Sequence, residues 1–518
     1  MIFATALSKV LGLVRVMLMA AYYGDSMEAK AFLTALRIPL SFFDLLLGAA
    51  ILGVFIPVFN SFANDGDSLQ RNRDQEKFAG LFFTVVTLVT GLLSLLGIIF
   101  APDIIAFVTP GYDPTTAALA ANLLRIVFPM VVFTGATYTL IGVLQSKDEY
   151  LVPALVSSIS NLGVIVYFLV LDGTFGILGL AVAYLISWLI QLLTLVIPLW
   201  KKRFRLQISL KLRDKNLIKC VKMMLPIMAG SWFLPASLLL LQNAASKVDD
   251  ILVVEFEYAM QLFLLITGII VFGVCNYIFP KLSQAANSDG DDFNNTVRTG
   301  ISSIFFVIIP VSLGVLILYR EAVAVVYMRG AFDAFVTDET AGAFIVFALG
   351  MVPYALIELL NRVFYAKQMV KFPMIASLTG IFVLFVLNSV EIEESTRWFE
   401  ITKFYTSVSF PVCVILIALI LIISLAVKLR GIITRKLLLN IVKIILSAAV
   451  MTAVMAIIAI PIGNDASQSG LFQNIFTALA VFVPGVIVFL VMSVLLKTDE
   501  GKIIIGILTG KQKGKGAK

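Results

Sequence analysis

The sequence of 518 residues has no histidine, and only 14% of its residues are charged. An ordinary soluble domain is about 25% charged and about 45–50% apolar, whereas 60% of this chain is hydrophobic. This composition excludes a soluble enzyme. The three cysteines, Cys220, Cys275 and Cys413, lie far apart, so neither a zinc site nor a disulfide framework is indicated. We therefore expect no cofactor and no enzymatic activity.

The apolar residues form long runs, and a helix needs roughly 20 such residues to cross a bilayer. The runs predict an all-α polytopic membrane protein with about fourteen transmembrane helices. The second run carries Pro39, Gly48 and Pro57, which predict a bend. The predicted spans cover residues 2–22, 29–62, 78–107, 116–144, 150–171, 174–200, 217–243, 252–279, 296–318, 340–366, 370–389, 404–426, 437–460 and 474–496.

Lysine and arginine are concentrated in the loops that follow even-numbered spans and in the C-terminal tail. Because cytoplasmic loops carry the excess of these residues, both termini are predicted to be cytoplasmic. The net charge of +7 is explained by this orientation. The basic loops have no aromatic platform beside them, so nucleic acid is not an expected partner.

The most basic loop, Lys201–Lys215, follows the sixth span and divides the chain into two halves. An even number of spans in each half predicts two six-helix lobes as parallel pseudo-repeats around a central cavity, with the substrate site between them. The loop itself is expected to contact anionic lipid. The predicted parts are a first lobe at 1–200, a basic cytoplasmic linker at 201–216, a second lobe at 217–430, two added helices at 431–496 and a basic cytoplasmic tail at 497–518.

Four cations and one acid fall inside the first four spans. An ionisable residue at the centre of a span costs at least about 2.5–3.5 kcal/mol, so each is a functional hypothesis. The excess of positive charge predicts an anionic ligand. Two structural alternatives remain open: Arg37 and Arg125 extend towards the outer head groups, and Lys9 pairs with Asp44 at the same depth.

Arg15 is the strongest candidate among these cations. It shares a helix face with Ser8, Leu11 and Gly12, and these small and polar residues predict a cavity wall. The predicted substrate-binding residues are Arg15, Lys9, Ser8, Arg37 and Arg125, with Asp44 as a structural or gating charge.

The second half carries fewer intramembrane charges. Glu358 and Arg362 are four residues apart on the tenth span, with the acid first, which predicts a structural or gating ion pair within one helix. Asn243 and Asn388 could offer oxygen ligands to a cation, but they indicate no firm metal site.

Several short motifs fall in order along the predicted spans. Residues 8–15, SKVLGLVR, resemble the opening S-R-x-L-G-x-x-R of one family, the MurJ (MviN) lipid II flippases. Further resemblances occur at Ala31-Phe32 with Ala35 and Pro39, at Phe55–Phe59, at Tyr258-Ala259 leading to Phe279–Ser283, at Arg329–Phe332, at Gly350 with Pro353, and at Phe364–Ala366 with Pro373. Together they extend from about residue 2 to about residue 430.

The resemblance implies the fold of the MOP exporter superfamily, the cytoplasmic membrane of a bacterium and outward movement of a lipid-linked peptidoglycan precursor. Arg15 matches a family arginine. Lys9 replaces another arginine, which keeps the charge but loses the bidentate fork. The remaining departures put the substrate's identity in question: Lys30 where the family has aspartate, Phe43 and Gln261 where it has arginine, and Gly48 where it has glutamate.

The leading hypothesis is a lipid II flippase that works by alternating access, whose cations neutralise a pyrophosphate head group. Alternatives are a flippase for another lipid-linked polysaccharide of the sporulation or surface type, a cation-coupled multidrug exporter of the same fold, and a non-transporting scaffold of cell-wall assembly. Expected partners are the anionic lipid-linked glycan, membrane lipids and proteins of cell-wall synthesis or division. The driving force, Na⁺ or membrane potential, is left open.

Overall fold

The structure is a computed structural model that describes residues 2–46, 51–62, 68–285, 291–389, 396–462, 466–467 and 469–508. Helices account for most of these residues, and no β-strand occurs among them. The all-α fold predicted from the apolar runs is confirmed.

The chain divides into two compact units. The first comprises Met1–Val254 together with two short segments, Arg329–Phe332 and Asn388–Glu391. Its helices are α1 (Ile2–Tyr23), α2 (Met27–Leu46), a π-helical turn (Ile51–Phe55), α3 (Ile56–Ser61), α4 (Ser68–Ile99), α5 (Ala101–Val108), α6 (Pro114–Val127), α7 (Met130–Ser146), α8 (Leu151–Val170), α9 (Asp172–Lys201), α10 (Lys215–Ser231) and α11 (Phe233–Val248).

The second unit begins within α12 (Asp250–Ala285), at Glu255. Its further helices are α13 (Asp291–Ile317), α14 (Tyr319–Tyr327), α15 (Ala334–Ala348), α16 (Met351–Ala366), α17 (Lys371–Asn388), α18 (Thr396–Lys428), α19 (Arg435–Ile462), α20 (Leu471–Leu495) and α21 (Asp499–Leu508). Helix α21 lies in the segment that the sequence indicated only as a basic tail.

Each predicted span coincides with one helix or with consecutive helices. Ten helices in the described part of the chain are long and apolar enough to cross a membrane, and up to twelve if each of two bent pairs is one span. The protein is therefore a multi-pass membrane protein, while the count of fourteen stays a prediction. The bent pairs are α10 with α11, at 48°, and α15 with α16, at 49°.

The second predicted span is interrupted. Pro39 lies inside α2, whereas Pro57 begins the short α3 after the π-helical turn. A π-helical turn and a proline each disturb the regular ladder of helix hydrogen bonds, which accounts for the break. Gly48, the third residue in that prediction, lies outside the described residues.

In the first unit, α1 packs on α8, α2 on α6, and α4 on α7. Helices α10 and α11 also pack on α2, so this unit reaches further along the chain than the predicted first lobe. Where α10 bends into α11, the indole Nε1 of Trp232 donates a hydrogen bond to the carbonyl of Leu45. That carbonyl belongs to the last turn of α2, where the helix leaves carbonyl groups without intrahelical partners.

Asp113 begins α6 as its N-cap. Its carboxylate accepts hydrogen bonds from the backbone N–H groups of Thr115, at 2.8 Å, and Thr116, at 3.2 Å. The Thr115 hydroxyl also donates to this carboxylate, and the hydrogen bonds from Thr115 and Thr116 together hold the pKa of the Asp113 carboxyl well below its usual range. The cap satisfies two of the free N–H groups at the start of the helix.

Candidate functional site

Arg15 on α1 is a half-buried cation in the first unit. Its guanidinium carbon lies 5.4 Å from the centroid of the Tyr184 ring on α9, a distance typical of a cation–π contact. Tyr184 is buried, and its ring packs edge-on against Phe32 at 5.2 Å. Arg15 Nε is buried and has no hydrogen-bond partner among the described residues. No described acid pairs with Arg15 either, so its charge is not balanced within the described part of the chain.

Ser8 and Gly12, on the face of α1 that was expected to line a cavity, lie against α8. The Ser8 hydroxyl donates to the carbonyl of Ala154 at 3.2 Å and lies 2.6 Å from the hydroxyl of Ser158. The Asn161 amide donates to the Ser8 carbonyl at 3.1 Å, and a Cβ added at Gly12 would lie 3.4 Å from Asn161 Nδ2. The small residues therefore allow α1 and α8 to approach closely, which corrects the expectation of a cavity wall at these positions.

Lys9 and Asp44 form no ion pair in the described residues. Both side chains are exposed. The cation whose charge acts on Asp44 is Arg37. Arg37 precedes it by seven residues on α2, and residues at that spacing share a helix face. The predicted Lys9–Asp44 pair is not found among the described residues.

Arg125 is exposed in the last turn of α6. Its Nη1 donates to Asn122 Oδ1 at 3.0 Å, one turn earlier on the same helix. A cation in the last turn also interacts favourably with the helix dipole. The described contacts of Arg125 are therefore local, and its role in substrate binding stays a prediction.

Lys30, one of the departures from the family pattern, forms an ion pair. Its Nζ lies 2.7 Å from Asp250 Oδ1, and the two side chains are 12% and 27% exposed. Tyr112 donates a hydrogen bond to the Lys30 carbonyl at 3.1 Å, and Tyr112 lies 2.8 Å from the Thr34 hydroxyl. Because Asp250 balances Lys30, this lysine adds no net positive charge to the first unit.

The segment Arg329–Phe332 is joined to the turn between α1 and α2 by close backbone contact. Ala331 N–H donates to the Ala21 carbonyl at 2.8 Å. Gly24 and Gly330 both have positive φ. A Cβ added at Gly24 would lie 2.3 Å from the Ala331 carbonyl oxygen, and one added at Gly330 would lie 2.2 Å from the Ala21 carbonyl oxygen. Only glycine fits at both positions, which gives the quoted Arg-Gly-Ala-Phe motif a structural reason.

The other departures from the family pattern make local contacts. Phe43 packs on Tyr138 at 5.3 Å between ring centroids. Gln261 donates from Nε2 to Glu257 Oε1 at 2.9 Å, four residues earlier on α12. Gly48 lies outside the described residues.

In the second unit, Glu358 and Arg362 form the intrahelical pair that their spacing predicts. Arg362 Nη1 lies 3.6 Å from Glu358 Oε2 and donates to the Glu358 carbonyl at 3.1 Å. Sequence reasoning missed two further acids, Glu255 and Glu257 on α12, which are only 3% and 5% exposed. Both lie inside the predicted eighth span, so the cost of burying an acid could have identified them.

Asn243 and Asn388 stay weak candidates for a cation site, and their described surroundings differ. Asn243 Nδ2 donates to the carbonyl of Phe107 at 2.6 Å, so its amide joins α11 to the end of α5. The amide atoms of Asn388 are buried and have no hydrogen-bond partner among the described residues. The described part of the chain has no group of three or more Cys, Asp or Glu side chains that could hold a metal ion.

The basic linker after α9 is attached to α4. Glu76 Oε1 accepts from the backbone N–H of Arg205 at 2.9 Å, and Glu76 Oε2 accepts from Gln207 Nε2 at 3.3 Å. Lys202 Nζ donates to the carbonyl of Lys147 at 3.1 Å. Within the first unit, the linker is thus held against α4 and against Lys147 after α7, and it also carries the charge that predicts orientation.

Solved structures with the same fold are membrane transporters. The chain is similar to a structure of lipid II flippase MurJ in the inward closed conformation, with a TM-score of 0.77, 21% identity, and coverage of 96% of this chain and 98% of that one. It is also similar to an inward-facing multidrug resistance MATE family transporter of the MOP superfamily, with a TM-score of 0.66, 13% identity and 82% and 96% coverage. This chain therefore has the fold that these membrane transporters share.

Sequence comparison defines the family. A profile described as "Lipid II flippase MurJ" matches residues 19–477. The chain is 26% identical over 389 residues to the probable lipid II flippase MurJ of Buchnera aphidicola subsp. Schizaphis graminum, covering 74% of this chain and 75% of the relative. It is 27% identical over 379 residues to the lipid II flippase MurJ of Burkholderia cenocepacia, covering 71% and 72%. The chain belongs to the MurJ family, as its motifs suggested.

Proposed function

We propose that this protein is a flippase that moves lipid II, a lipid-linked peptidoglycan precursor, from the inner to the outer leaflet by alternating access. Membership of the MurJ family supports the substrate class. The pyrophosphate of such a precursor is anionic, whereas its lipid tail can remain in the bilayer. The protein would need a cation at membrane depth to receive the head group, and Arg15 meets this requirement.

The observation that supports the proposal most is the environment of the Arg15 guanidinium. Its guanidinium lies over the ring of Tyr184 and has no acidic partner among the described residues. Stacking on an aromatic face leaves the edge of the planar fork free to donate two parallel hydrogen bonds to phosphate. A half-buried guanidinium without an acidic partner is costly, and an anionic ligand would lower that cost.

The test begins with complementation of a strain depleted of its own lipid II flippase, combined with a direct assay of lipid II at the outer leaflet. We expect Arg15→Ala to abolish flipping with normal expression, and Arg15→Lys to restore only part, because lysine cannot make the bidentate contact. Arg73→Ala is the matched control, since Arg73 is exposed on α4 and its removal takes away the same charge. Near-normal flipping by a well-expressed Arg15→Ala protein would refute this role and move attention to Arg37 and Arg125.

Tyr184 provides a second variant of the same site. Tyr184→Phe keeps the aromatic face and should keep most activity, whereas Tyr184→Leu removes the cation–π contact, worth about 0.5–2 kcal/mol. Equal activity of the two variants would show that the ring does not position Arg15.

The proposal includes orientation and energy source. Both termini and the linker would face the cytoplasm of a bacterial cell, with the anionic lipid-linked glycan as substrate. Membrane potential or Na⁺ would drive transport, and collapsing each gradient separately during the flipping assay distinguishes them. Proteins of cell-wall synthesis or division would be its partners.

The alternatives predict other outcomes of the same experiments. A flippase for another lipid-linked polysaccharide would restore no growth to the depleted strain but would export its own lipid-linked glycan. A multidrug exporter would confer drug resistance that requires buried acids, and Glu255 and Glu257 are the residues to change. A scaffold of cell-wall assembly would show no transport in either assay.

A further inference from the structure

A second concentration of positive charge lies in the second unit, where α19 begins and where α20 continues into α21. The side chains there surround a recess of about 360 Å³. We call it the basic recess; its charged lining consists of Arg435, Lys436, Lys443, Lys497, Lys502 and Asp499. Five of these six side chains are cations.

Few of these cations are neutralised within the protein. Lys502 pairs with Asp499 at 2.7 Å, and Lys443 donates to the carbonyl of Lys497 at 3.4 Å, which adds no negative charge. Arg435 and Lys436 have no ion pair with any described acid, nor has Lys497. The basic recess therefore keeps a large positive excess.

Glu500 follows Asp499 in the chain, and hydrogen bonds hold its carboxylate between α13 and α19. Glu500 Oε1 accepts from the Ser302 hydroxyl of α13, and Glu500 Oε2 accepts from Asn440 Nδ2 at 3.1 Å. Asn440 Oδ1 also accepts from the backbone N–H of Asp499 at 2.9 Å. These contacts fasten the start of α21 to α13 and α19, so the wall of the recess is fixed in place.

Arg435 and Lys436 also lie in an unfavourable position for cations. They are the first two residues of α19, where the partial positive charge of the helix dipole repels them by about 0.3–1 kcal/mol each. An anion bound between them would be attracted by both cations and by the helix dipole, because helix N-termini favour negative charge.

The surface beside the basic recess is apolar and exposed. Leu438, Leu439 and Val442 on α19 are about half exposed, at 51%, 51% and 49%, and Ile503 on α21 is 48% exposed. A molecule that places a phosphate among the cations would therefore lay its hydrocarbon along α19. This combination of a charged head and apolar chains is that of a phospholipid.

We propose that the basic recess is a binding site for the phosphate of an anionic phospholipid, separate from the proposed transport site at Arg15. The loop charges predict that these helix ends face the cytoplasm, where basic pockets between transmembrane helices bind anionic head groups. The lipid would bridge α19 and α21 and so anchor the C-terminal helix at the membrane surface.

The experiment titrates the purified full-length protein with dioleoylphosphatidylglycerol and measures bound lipid by native mass spectrometry. The variant is Lys443→Gln/Lys497→Gln. The matched control is Lys219→Gln/Lys222→Gln, which removes two exposed lysines from α10 outside the recess. A charge-keeping variant, Lys443→Arg/Lys497→Arg, tests whether any loss comes from the charge or from disturbed folding.

We expect the recess variant to weaken binding about fivefold for each lysine removed, from about 1 kcal/mol per cation near an anionic surface. The control and the arginine variant should bind nearly as the unchanged protein does, and dioleoylphosphatidylcholine should bind weakly to all four proteins. Equal losses in the recess variant and the control would overturn the site and indicate diffuse attraction. Saturable competition by free glycerol 3-phosphate, equal in strength to the lipid, would overturn the assignment to a phospholipid.

Discussion

The ion pair between Lys30 and Asp250 offers a test of how α2 is fastened to the start of α12. The pair is short, at 2.7 Å, and its side chains are 12% and 27% exposed. Two unit charges 4 Å apart attract by about 4 kcal/mol at an effective dielectric constant of about 20, but desolvation offsets much of this. Removing one partner of a buried, hydrogen-bonded pair costs about 2–5 kcal/mol, and the partial exposure of Asp250 favours the low end, about 2 kcal/mol.

The perturbation is a double-mutant cycle with Lys30→Met and Asp250→Asn, followed by the exchange Lys30→Asp/Asp250→Lys. Each single variant strands a charge, so its apparent melting temperature should fall by about 2–4 °C per kcal/mol for a unit of this size. The double neutral variant should lose less than the sum of the two singles. The exchanged pair should recover part of the loss, because the attraction is restored with opposite polarity.

The matched control is the exposed pair Lys77–Asp74, at 3.2 Å with side chains 57% and 37% exposed. A pair at this spacing on one helix contributes only about 0.2–0.5 kcal/mol, so its cycle should show almost no coupling. Additive losses at Lys30 and Asp250, as at the control pair, would refute the reasoning. A neutral result at both single variants would show that neither charge is desolvated.

Two further predictions concern packing and orientation. Ser8→Ala removes the hydrogen bond to Ser158 and should lower the free energy of unfolding by about 1 kcal/mol, while the folded protein continues to flip lipid. Complete loss of flipping at normal yield would instead show that Ser8 has a direct role in transport. In intact cells, an impermeant maleimide should label Glu394→Cys and leave Arg205→Cys unlabelled, since the basic linker is predicted to be cytoplasmic; the reverse pattern would contradict the predicted topology.

The sequence predicted local features of the fold well. The length of an apolar run is a property of consecutive residues, so the runs indicated an all-α membrane protein before any packing was known. The pair Glu358–Arg362 was equally accessible, because four residues along one helix define the distance between the partners. The amphipathic helix α21 was missed, because its ten residues are too few for a spanning run.

Contacts between helices could not be predicted from the order of residues along the chain. Lys9 and Asp44 have similar predicted depths but do not pair in the described residues, because depth leaves the rotation of each helix undefined. Lys30 and Asp250 do pair although 220 residues separate them, which turns an apparent change of charge into a local ion pair.

Arg15 combines both kinds of information. Its position in an apolar run was sufficient to identify it as costly and therefore as a candidate binding residue. Only the packing of α1 on its neighbours decided that its guanidinium lies over Tyr184 while Ser8 and Gly12 face α8. Hydrophobic periodicity and charge depend on the order of residues along the chain, whereas the partner of a buried group depends on which helix faces are brought together when the chain packs.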